Sequence, residues 1–543
     1  MHYIKDELTK TQDVMQVYGV NPLLAKVIES RQMDLREFKA MQDTRFLYHD
    51  FELFSEGEMA LERIHEAMDN HEKIAVYGDY DCDGILATTI LVQAFHELGV
   101  EVGYHIPDRH TDGYGLNMHR VEQMAARGYT LIITVDNGIK AHEAVERANE
   151  LGVDVIITDH HAFDPEEELP DAVAIVHTGL SADYPFKDIC GGFVAYKLAM
   201  ALLGHHDGYL YTLAAITTVS DMMPLKDENR CVVQRGIKAM EMQKYEPVEL
   251  LKSPNQSYDA TLIGFTLAPR INAAGRLPEM MPPNNWVRYF LKDTPSDVRR
   301  QIAAKAVEIN DTRKQMTATA VEMVEAPEKD LPYVYFAHDD VHEGIIGLIA
   351  GACAREYEAP SFVMKHFPDT HLYKGSARGA GDFDVNAFFN GHKDLFVQCG
   401  GHRSAGGFTV DEDHYEALEK ALADAVKGRT FPDEQMAIPV TGADVSVDNV
   451  QSLHVLEPFG MGNDEPVFLI EHARIANVMP LSNGKHVKVT LDLGNQSVDA
   501  LWFSHGDKAD VLAQKSYADV YGTLKINTFR GRTSVNVMVR DIL

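Results

Sequence analysis

The chain is short of several things, and each shortage excludes something. Only five cysteines (Cys82, Cys190, Cys231, Cys353 and Cys399) stand in 543 residues, scattered and with no CxxC pair. That argues against a zinc ribbon or a disulfide framework and leads us to expect a reducing compartment, the cytoplasm. Long apolar runs are missing. The best candidate, "IIGLIAGACA" (Ile345 to Ala354), is about half the roughly 20 residues a membrane span needs, so no membrane is expected as a partner. The opening "MHYIKDELTKTQ" is charged, without the apolar core of a signal peptide. Nucleotide-binding signatures are absent. There is no GxxxxGK[ST], and "GYGLNM" is not a GxGxxG. No GxSxG elbow occurs either. Positive charge is scarce too: the net charge is −32, which speaks against a general polyanion binder. The imbalance is uneven, because Glu457 to Leu543 carries ten acidic and nine basic residues. A nucleic-acid partner would have to meet local basic spots, or a metal-filled site, on an acidic body.

What is present is the composition of a folded protein, 45% hydrophobic and 24% charged, long enough for two or three domains. Residues 1–70 read as a helical N-terminal region, with apolar residues at helical spacing in "NPLLAKVIESRQM" and "EGEMALERIHEAMDN". From 71 the texture alternates. "KIAVYGD", "EVGYHIP", "LIITVDNG" and "DVIITDHH" read as strands, with "DGILATTILVQAFHELG" and "KAHEAVERANELG" as helices between them. Strands apolar on both faces, alternating with helices, predict an α/β domain over 71–295 built on a parallel sheet. A long helix, 296–326, serves as connector. A second α/β unit follows over 327–440. The tail, 441–543, has short alternating segments such as "HVKVTLDL" and "ADVYGTLKI", and reads as a small β-barrel.

Three strand ends of the first unit finish in acids. They are "GDYDCDG" with Asp79, Asp81 and Asp83, "VDNG" with Asp136, and "TDHH" with Asp159, His160 and His161. The carboxyl ends of parallel strands lie along one edge, where ligands bind. If 79–83 stays extended, Asp81 and Asp83 point to the same side. Carboxylates gathered at one edge repel, so a cation belongs among them, and Asp with His suits manganese or magnesium. Asp221, in "TTVSDMMPL", could complete the shell. Any one of these aspartates alone would be an ordinary turn or capping residue; four acid-bearing element ends in order are not. "DCDG" lacks the closing glutamate of a calcium loop.

"VYGDYDCDG", "VDNG", "TDHH" and "TVSDMMPL" resemble the four motifs of the DHH phosphoesterase superfamily. "PRINAAGRL", "HEGIIGLIAG", "KGSARG" and "CGGHRSAGGF" narrow the resemblance to the RecJ-type single-strand-specific exonucleases. "EPFGMGNDEPVF" is similar to that family's entry into an oligonucleotide-binding (OB) barrel. The resemblance implies two divalent cations, Mn2+ or Mg2+, that hydrolyse phosphodiesters. It implies Asp81, Asp83, Asp136, His160 and Asp221 as ligands, with Asp136 shared between the ions. His161 would face the phosphate, and Asp79 and Asp159 would orient their neighbours. It further implies that 327–440 is a DHH-associated domain in which Ser376 and Arg378 grip a terminal 5′-phosphate with Arg109, while Arg276 and His402 touch the strand. Glycines in "CGGHRSAGG" would let a nucleic-acid backbone approach closely. The tail adds Lys485, Lys488, Lys525, Arg530 and Arg532 beside Trp502, Phe503, Tyr521 and Phe529, which suits a single-strand platform and equally a small barrel core.

Three functions follow. The first is a 5′-to-3′ exonuclease that releases mononucleotides from single-stranded DNA in repair and recombination. It would work as a monomer, with single-strand-binding protein and a helicase as expected partners. The second is a phosphodiesterase for oligonucleotides or cyclic dinucleotides, whose DHH enzymes are shorter and lack the barrel. The third is a non-catalytic replication scaffold, whose relatives have lost metal ligands that are present here.

Overall fold

In a computed structural model, the structure describes residues 2–543 apart from 44, 109–112 and 114. The first unit is a five-stranded sheet in the order Gly103–His105, Ile74–Tyr77, Leu131–Val135, Asp154–Thr158 and Ala174–Val176, all parallel. Alternate residues of each strand face opposite cores, as a period of two requires. Ile74, Val76, Ile133 and Ile156 join a cluster with helices Cys82–Glu97, Gly191–Leu203 and Gly208–Ser220. Ala75, Tyr77, Ile132 and Ile157 join another with helices Met118–Ala126 and His142–Glu150. This double burial is why the strands read as continuous apolar runs.

One expectation fails locally. Residues 79–83 do not stay extended: Asp81 caps the helix Cys82–Glu97, its side chain accepting from the amides of Asp83 and Gly84. An aspartate directly ahead of a helical run is a good N-cap, and capping outweighs continued extension. Asp83 therefore lies in the first helical turn.

The connector helix runs Ser296–Glu322. Beyond it, a second sheet has the order Gln398–His402, Ala405–Asp411, Leu372–Arg378, Ser361–Phe367 and Val334–Ala337. Its last pair is parallel and the others antiparallel. Helix Ile346–Tyr357 packs on one face with the end of the connector. Helices Val385–Gly391 and Tyr415–Val426 pack on the other.

In the tail, Val467–Leu481, His486–Asp492, Ser497–Trp502, Arg532–Ile542 and Tyr517–Phe529 pair in turn, and the last pairs back to the first. The tail sheet also takes in Glu434–Val440, which pairs with Val467–Leu481, and His2–Lys5, which pairs with Glu434–Val440; both pairings are parallel. Helices Pro22–Ser30 and Leu35–Gln42 bury Leu24, Val27, Ile28 and Phe38 in that module's core. The stretch read as one N-terminal region is thus divided in its packing. Residues 2–42 lie with the tail, while Phe51, Phe54, Ile64 and Ala67 belong to the first unit's core. Amphipathic periodicity tells that a helix has a buried face, not which core receives it.

Candidate metal centre and substrate cleft

The sheet ladder delivers the acid-bearing residues to one edge. The Asp136 amide donates to Thr158 O at 3.0 Å and the Asp159 amide to Val176 O at 3.2 Å, each one step past the end of its strand. Asp136 holds φ at +61°, the left-handed region that aspartate tolerates better than most residues and that clusters at functional sites. Its neighbour Gly191 is obligatory, because a Cβ there would lie 2.5 Å from Asp136 Cβ. Gly191 and Gly192 open the helix Gly191–Leu203, and their amides donate to Asp83 Oδ2 at 2.8 Å and Oδ1 at 2.9 Å. A helix N-terminus thus orients this buried carboxylate.

His160 Nε2 stands 3.1 Å from Asp136 Oδ1, 3.5 Å from Asp221 Oδ2 and 3.9 Å from Asp83 Oδ2. Three of these atoms, Asp136 Oδ1, His160 Nε2 and Asp221 Oδ2, are buried with no hydrogen-bond partner among the described residues. They crowd one another yet do not satisfy one another. Ligand atoms of Asp83, His160 and Asp221 lie within 4.8 Å of each other, as do those of Asp136, His160 and His161, and those of Asp79, Asp81 and Asp136. Asp136 and His160 each belong to two of these overlapping groups. Asp79, expected to support its neighbours, comes as close as the expected ligands do.

The electrostatics agree. Burial, then the field of Asp83, Asp81 and Asp221, drives the Asp136 carboxyl well above the usual carboxylate range. Burial together with Asp83 and Asp81 pushes Asp221 up to about 9. Asp81 is raised by burial and by Asp83, and burial lowers His160. Such a set cannot hold all its charges without a counter-ion. Carboxylate oxygens with one or two imidazoles, buried and unsatisfied, fit hard divalent cations such as Mn2+ or Mg2+.

Asp159 is different, because its oxygens are saturated. Oδ1 accepts from the amides of His160 at 2.7 Å and His161 at 3.1 Å and from His161 Nδ1 at 2.8 Å, while Oδ2 accepts from the Ile139 amide at 3.0 Å. Burial opposes its charge, but the contacts with His161 outweigh it and hold Asp159 far below the usual range. Reciprocally, His161 is raised to about 9: burial lowers it and the Asp159 bond more than restores it. The His161 carbonyl accepts from His177 Nε2 at 3.0 Å.

A cleft of about 820 Å³ opens beside this edge and runs between the two α/β units. Asp159, His161, Tyr80 and Lys140 line it from the first unit, and Lys374, Gln398, Gly400 and Gly407 from the second. It is a strand-end crevice with His161 and the buried Asp159 on one wall and a glycine-rich sheet on the other.

Family comparison agrees with this arrangement throughout its length. Residues 73–219 match the DHH family N-terminal domain, 330–428 the DHHA1 domain and 437–541 the RecJ OB domain. The single-stranded-DNA-specific exonuclease RecJ of Bacillus subtilis is 32% identical, over 98% of this chain and 69% of its own. The Escherichia coli protein of the same name is 30% identical over 96% of each chain. The chain belongs to the RecJ family. The crystal structure of RecJ from Thermus thermophilus in complex with Mn2+ superposes with a TM-score of 0.81 at 26% identity, covering 100% of this chain and 79% of that one.

The remaining residues expected from the RecJ motifs are dispersed. Ser376 and Arg378 share the second sheet's cleft-side face, and Arg378 Nη1 donates to Ser376 Oγ at 2.8 Å. Arg276 Nη1 donates to Gly344 O at 3.3 Å, so it joins the two units. A Cβ on Gly344 would lie 1.9 Å from Arg276 O, which makes that junction tight. His402 ends the hairpin strand Gln398–His402, paired with Ala405. Arg109 lies outside the described residues. The sequence gives no warning of Gly191 and Gly192, which hold Asp83, of His177, which holds the His161 carbonyl, or of Lys140 and Lys374, which line the cleft. A glycine pair after a cysteine at a helix start carries no signal until Asp83 is known to face it. Lys374 belongs to the "KGSARG" motif, two residues before Ser376 on the same face of its strand.

Proposed function

We propose that the chain is a metal-dependent exonuclease that removes nucleotides from single-stranded DNA, 5′ to 3′, in repair and recombination. The observation that carries this reading is the set of buried, unsatisfied ligand atoms of Asp136, His160 and Asp221 at the edge of a cleft floored by a second domain. Asp81, Asp83, Asp136, His160 and Asp221 would hold two divalent ions, Mn2+ or Mg2+, with Asp79 close enough to join them. Such ions lower the pKa of a bound water and neutralise charge on the attacking and leaving oxygens.

The chain's own residues do the rest. The Gly191 and Gly192 amides hold Asp83 in place. Asp159 takes the Nδ1 proton side of His161, which turns the other edge of the ring toward the cleft. That hydrogen bond does not depend on cations, so it keeps His161 able to donate a proton to a phosphate or leaving oxygen. Ser376 and Arg378 offer a hydroxyl and a guanidinium to the terminal phosphate. We assign catalysis to 71–295, substrate grip to 327–440 and strand engagement to 441–543 together with the strand from Glu434. The enzyme would act as a cytoplasmic monomer beside single-strand-binding protein and a helicase.

The test is incubation in Mn2+ with 5′-phosphorylated single strands blocked at one end, duplexes and dinucleotides. Asp136→Asn is the right control, because asparagine also tolerates the positive φ. It should lower kcat/KM by roughly a thousandfold, about 4 kcal/mol of lost transition-state stabilisation. Cleavage of dinucleotides while long strands survive would sink this reading. So would digestion of strands blocked at the 5′ end but not of those blocked at the 3′ end, as regards polarity.

A further inference from the structure

The motif "EPFGMGNDEPVF" contributes no residue to the cleft. Its first part, 457–463, is a loop ahead of the strand Val467–Leu481. The loop closes on itself. Gly460 and Asn463 each donate an amide to the other's carbonyl at 3.0 Å, and Asn463 Nδ2 donates to Leu456 O at 2.7 Å and to Pro458 O at 2.8 Å. Arg31, at the end of helix Pro22–Ser30, donates to Asn463 Oδ1 at 2.9 Å. Both ends of the chain therefore fix this loop.

The loop in turn grips the catalytic unit. Arg230, in helix Asp227–Gln243, is buried, and donates from Nη1 to Leu456 O at 2.9 Å and from Nη2 to Val455 O at 2.8 Å. Burial lowers its pKa to about 10. A buried guanidinium bonded to another module's carbonyls is costly to displace. The Leu225 amide donates to Met461 O at 2.8 Å. A Cβ on Gly460 would lie 2.7 Å from Leu225 Cδ1, and one on Gly462, whose φ is +68°, 3.2 Å from Pro224 Cβ. Leu225 is fully buried, so it has little room to give way. Asn229, beside Arg230, donates to Pro224 O at 3.1 Å. The stretch 224–225 is thus held by the loop and by the helix that the loop fastens.

That stretch follows Asp221 directly. Between them Met222 holds φ at +55°, a conformation a bulky residue keeps only where its surroundings impose it. The carboxylates of Asp81 and Asp83 are fixed directly, each by two amides. Asp221 Oδ2 has no hydrogen-bond partner among the described residues, so its place depends on its backbone. On the helix side the Asp221 amide donates to Thr217 O at 2.9 Å. On the other side stands the clamp at Pro224 and Leu225.

We propose that the loop 457–463 positions Asp221, with Gly460 and Arg230 as positioning residues: Gly460 seats Leu225 and Arg230 fastens the loop. The tail module thereby sets the geometry of one ligand of the metal centre. The inference rests on the reading of Asp221 as a metal ligand.

The test is Mn2+ binding to the full chain by isothermal titration calorimetry, with Tm in EDTA and digestion of a 5′-phosphorylated single strand measured separately. Gly460→Ala and Arg230→Met should each weaken Mn2+ about tenfold, as loss of a support behind a metal ligand does. Where Arg230→Met does not fold, Arg230→Lys, which keeps the charge but not both bonds, should give a smaller loss. Val489→Ala opens a cavity in the tail module's core, and should lower Tm while leaving Mn2+ affinity unchanged. Gly460→Ala combined with Asp221→Asn should bind Mn2+ no more weakly than Asp221→Asn alone, because Gly460 acts through that carboxylate. Wild-type affinity in Gly460→Ala overturns the proposal. An equal loss in Val489→Ala, or additive losses in the double variant, overturns it too. If Asp221→Asn binds Mn2+ like wild type, the reading of Asp221 as a ligand fails and the brace falls with it. If Asp221→Asn loses affinity and Gly460→Ala does not, that reading stands and the brace alone falls. If wild type binds Mn2+ but digests no single strand, the exonuclease reading fails and the brace is judged on affinity.

Discussion

Two clusters of buried charge lie in the first unit, and they mean opposite things. Lys197 and Glu228 are both fully buried, 2.7 Å apart. Glu228 also accepts from Tyr184 Oη and from the His49 amide, while Lys197 Nζ donates to His49 O at 2.6 Å and lies 3.8 Å from the centre of the Tyr48 ring. The cluster closes on itself and ties the 46–54 segment to helix Gly191–Leu203. The metal-centre cluster is less completely buried, yet Asp136, His160 and Asp221 end in buried atoms that have no hydrogen-bond partner among the described residues. Burial alone therefore does not mark a site. Several charged side chains buried together without closure do, because unpaired buried polar groups are costly and call for a partner.

That contrast can be broken in three ways. Lys197→Met should destabilise by about 3–5 kcal/mol in urea denaturation, since it leaves Glu228 buried and unpaired. Adding Glu228→Gln should restore part of the loss. A neutral Lys197→Met would erase the distinction between the two clusters. Second, Mn2+ should raise the stability of the wild type by about 2.7 kcal/mol at a hundred times its Kd, and not that of Asp221→Asn. The sign with pH follows from the raised carboxylates. Asp221, at about 9 when folded, favours the folded state below its unfolded pKa and loses that contribution as pH rises through 9. Metal-free Tm should therefore fall over this range and the Mn2+ shift should grow, as ions displace protons. A Tm shift by Mn2+ that is independent of pH contradicts this.

The smallest effect belongs to a pair between these extremes. Lys26 Nζ reaches Asp444 Oδ2 at 2.9 Å and fastens helix Pro22–Ser30 to the tail module. Burial raises Asp444, but Lys26 and Thr441 outweigh it and lower its pKa. A depressed folded pKa gives stability that is present above the unfolded value and lost as pH falls through the folded one. Asp444→Asn should cost about 1 kcal/mol at pH 7, shrinking below about pH 4 as Asp444 of the wild type becomes protonated. An equal deficit at pH 3 and pH 7 in thermal melts would show that the carboxylate charge contributes nothing.

How much was legible varies along the chain. The parallel sheet was plain, since strands such as "LIITV" are apolar on both faces. The order of acids at strand ends was plain too, because topology forces successive strand ends to one edge. The division of the N-terminal helices was not, because "PLLAKVIES" would bury its stripe equally well against any core. Nor was the cap at Asp81, where a strand-like spacing and a helix start compete over the same four residues.

By itself, the sequence determined the element types, the shared sheet edge and the chemistry of its acids and imidazoles. These depend on local periodicity and on side-chain identity. Only the tertiary structure decided which buried atoms stay unsatisfied, that Asp159 is saturated while Asp136 is not, and that the two ends of the chain build one module. It also decided which glycines the fold needs. All of these depend on what lies across a contact from a residue, and partners distant in sequence leave no local trace.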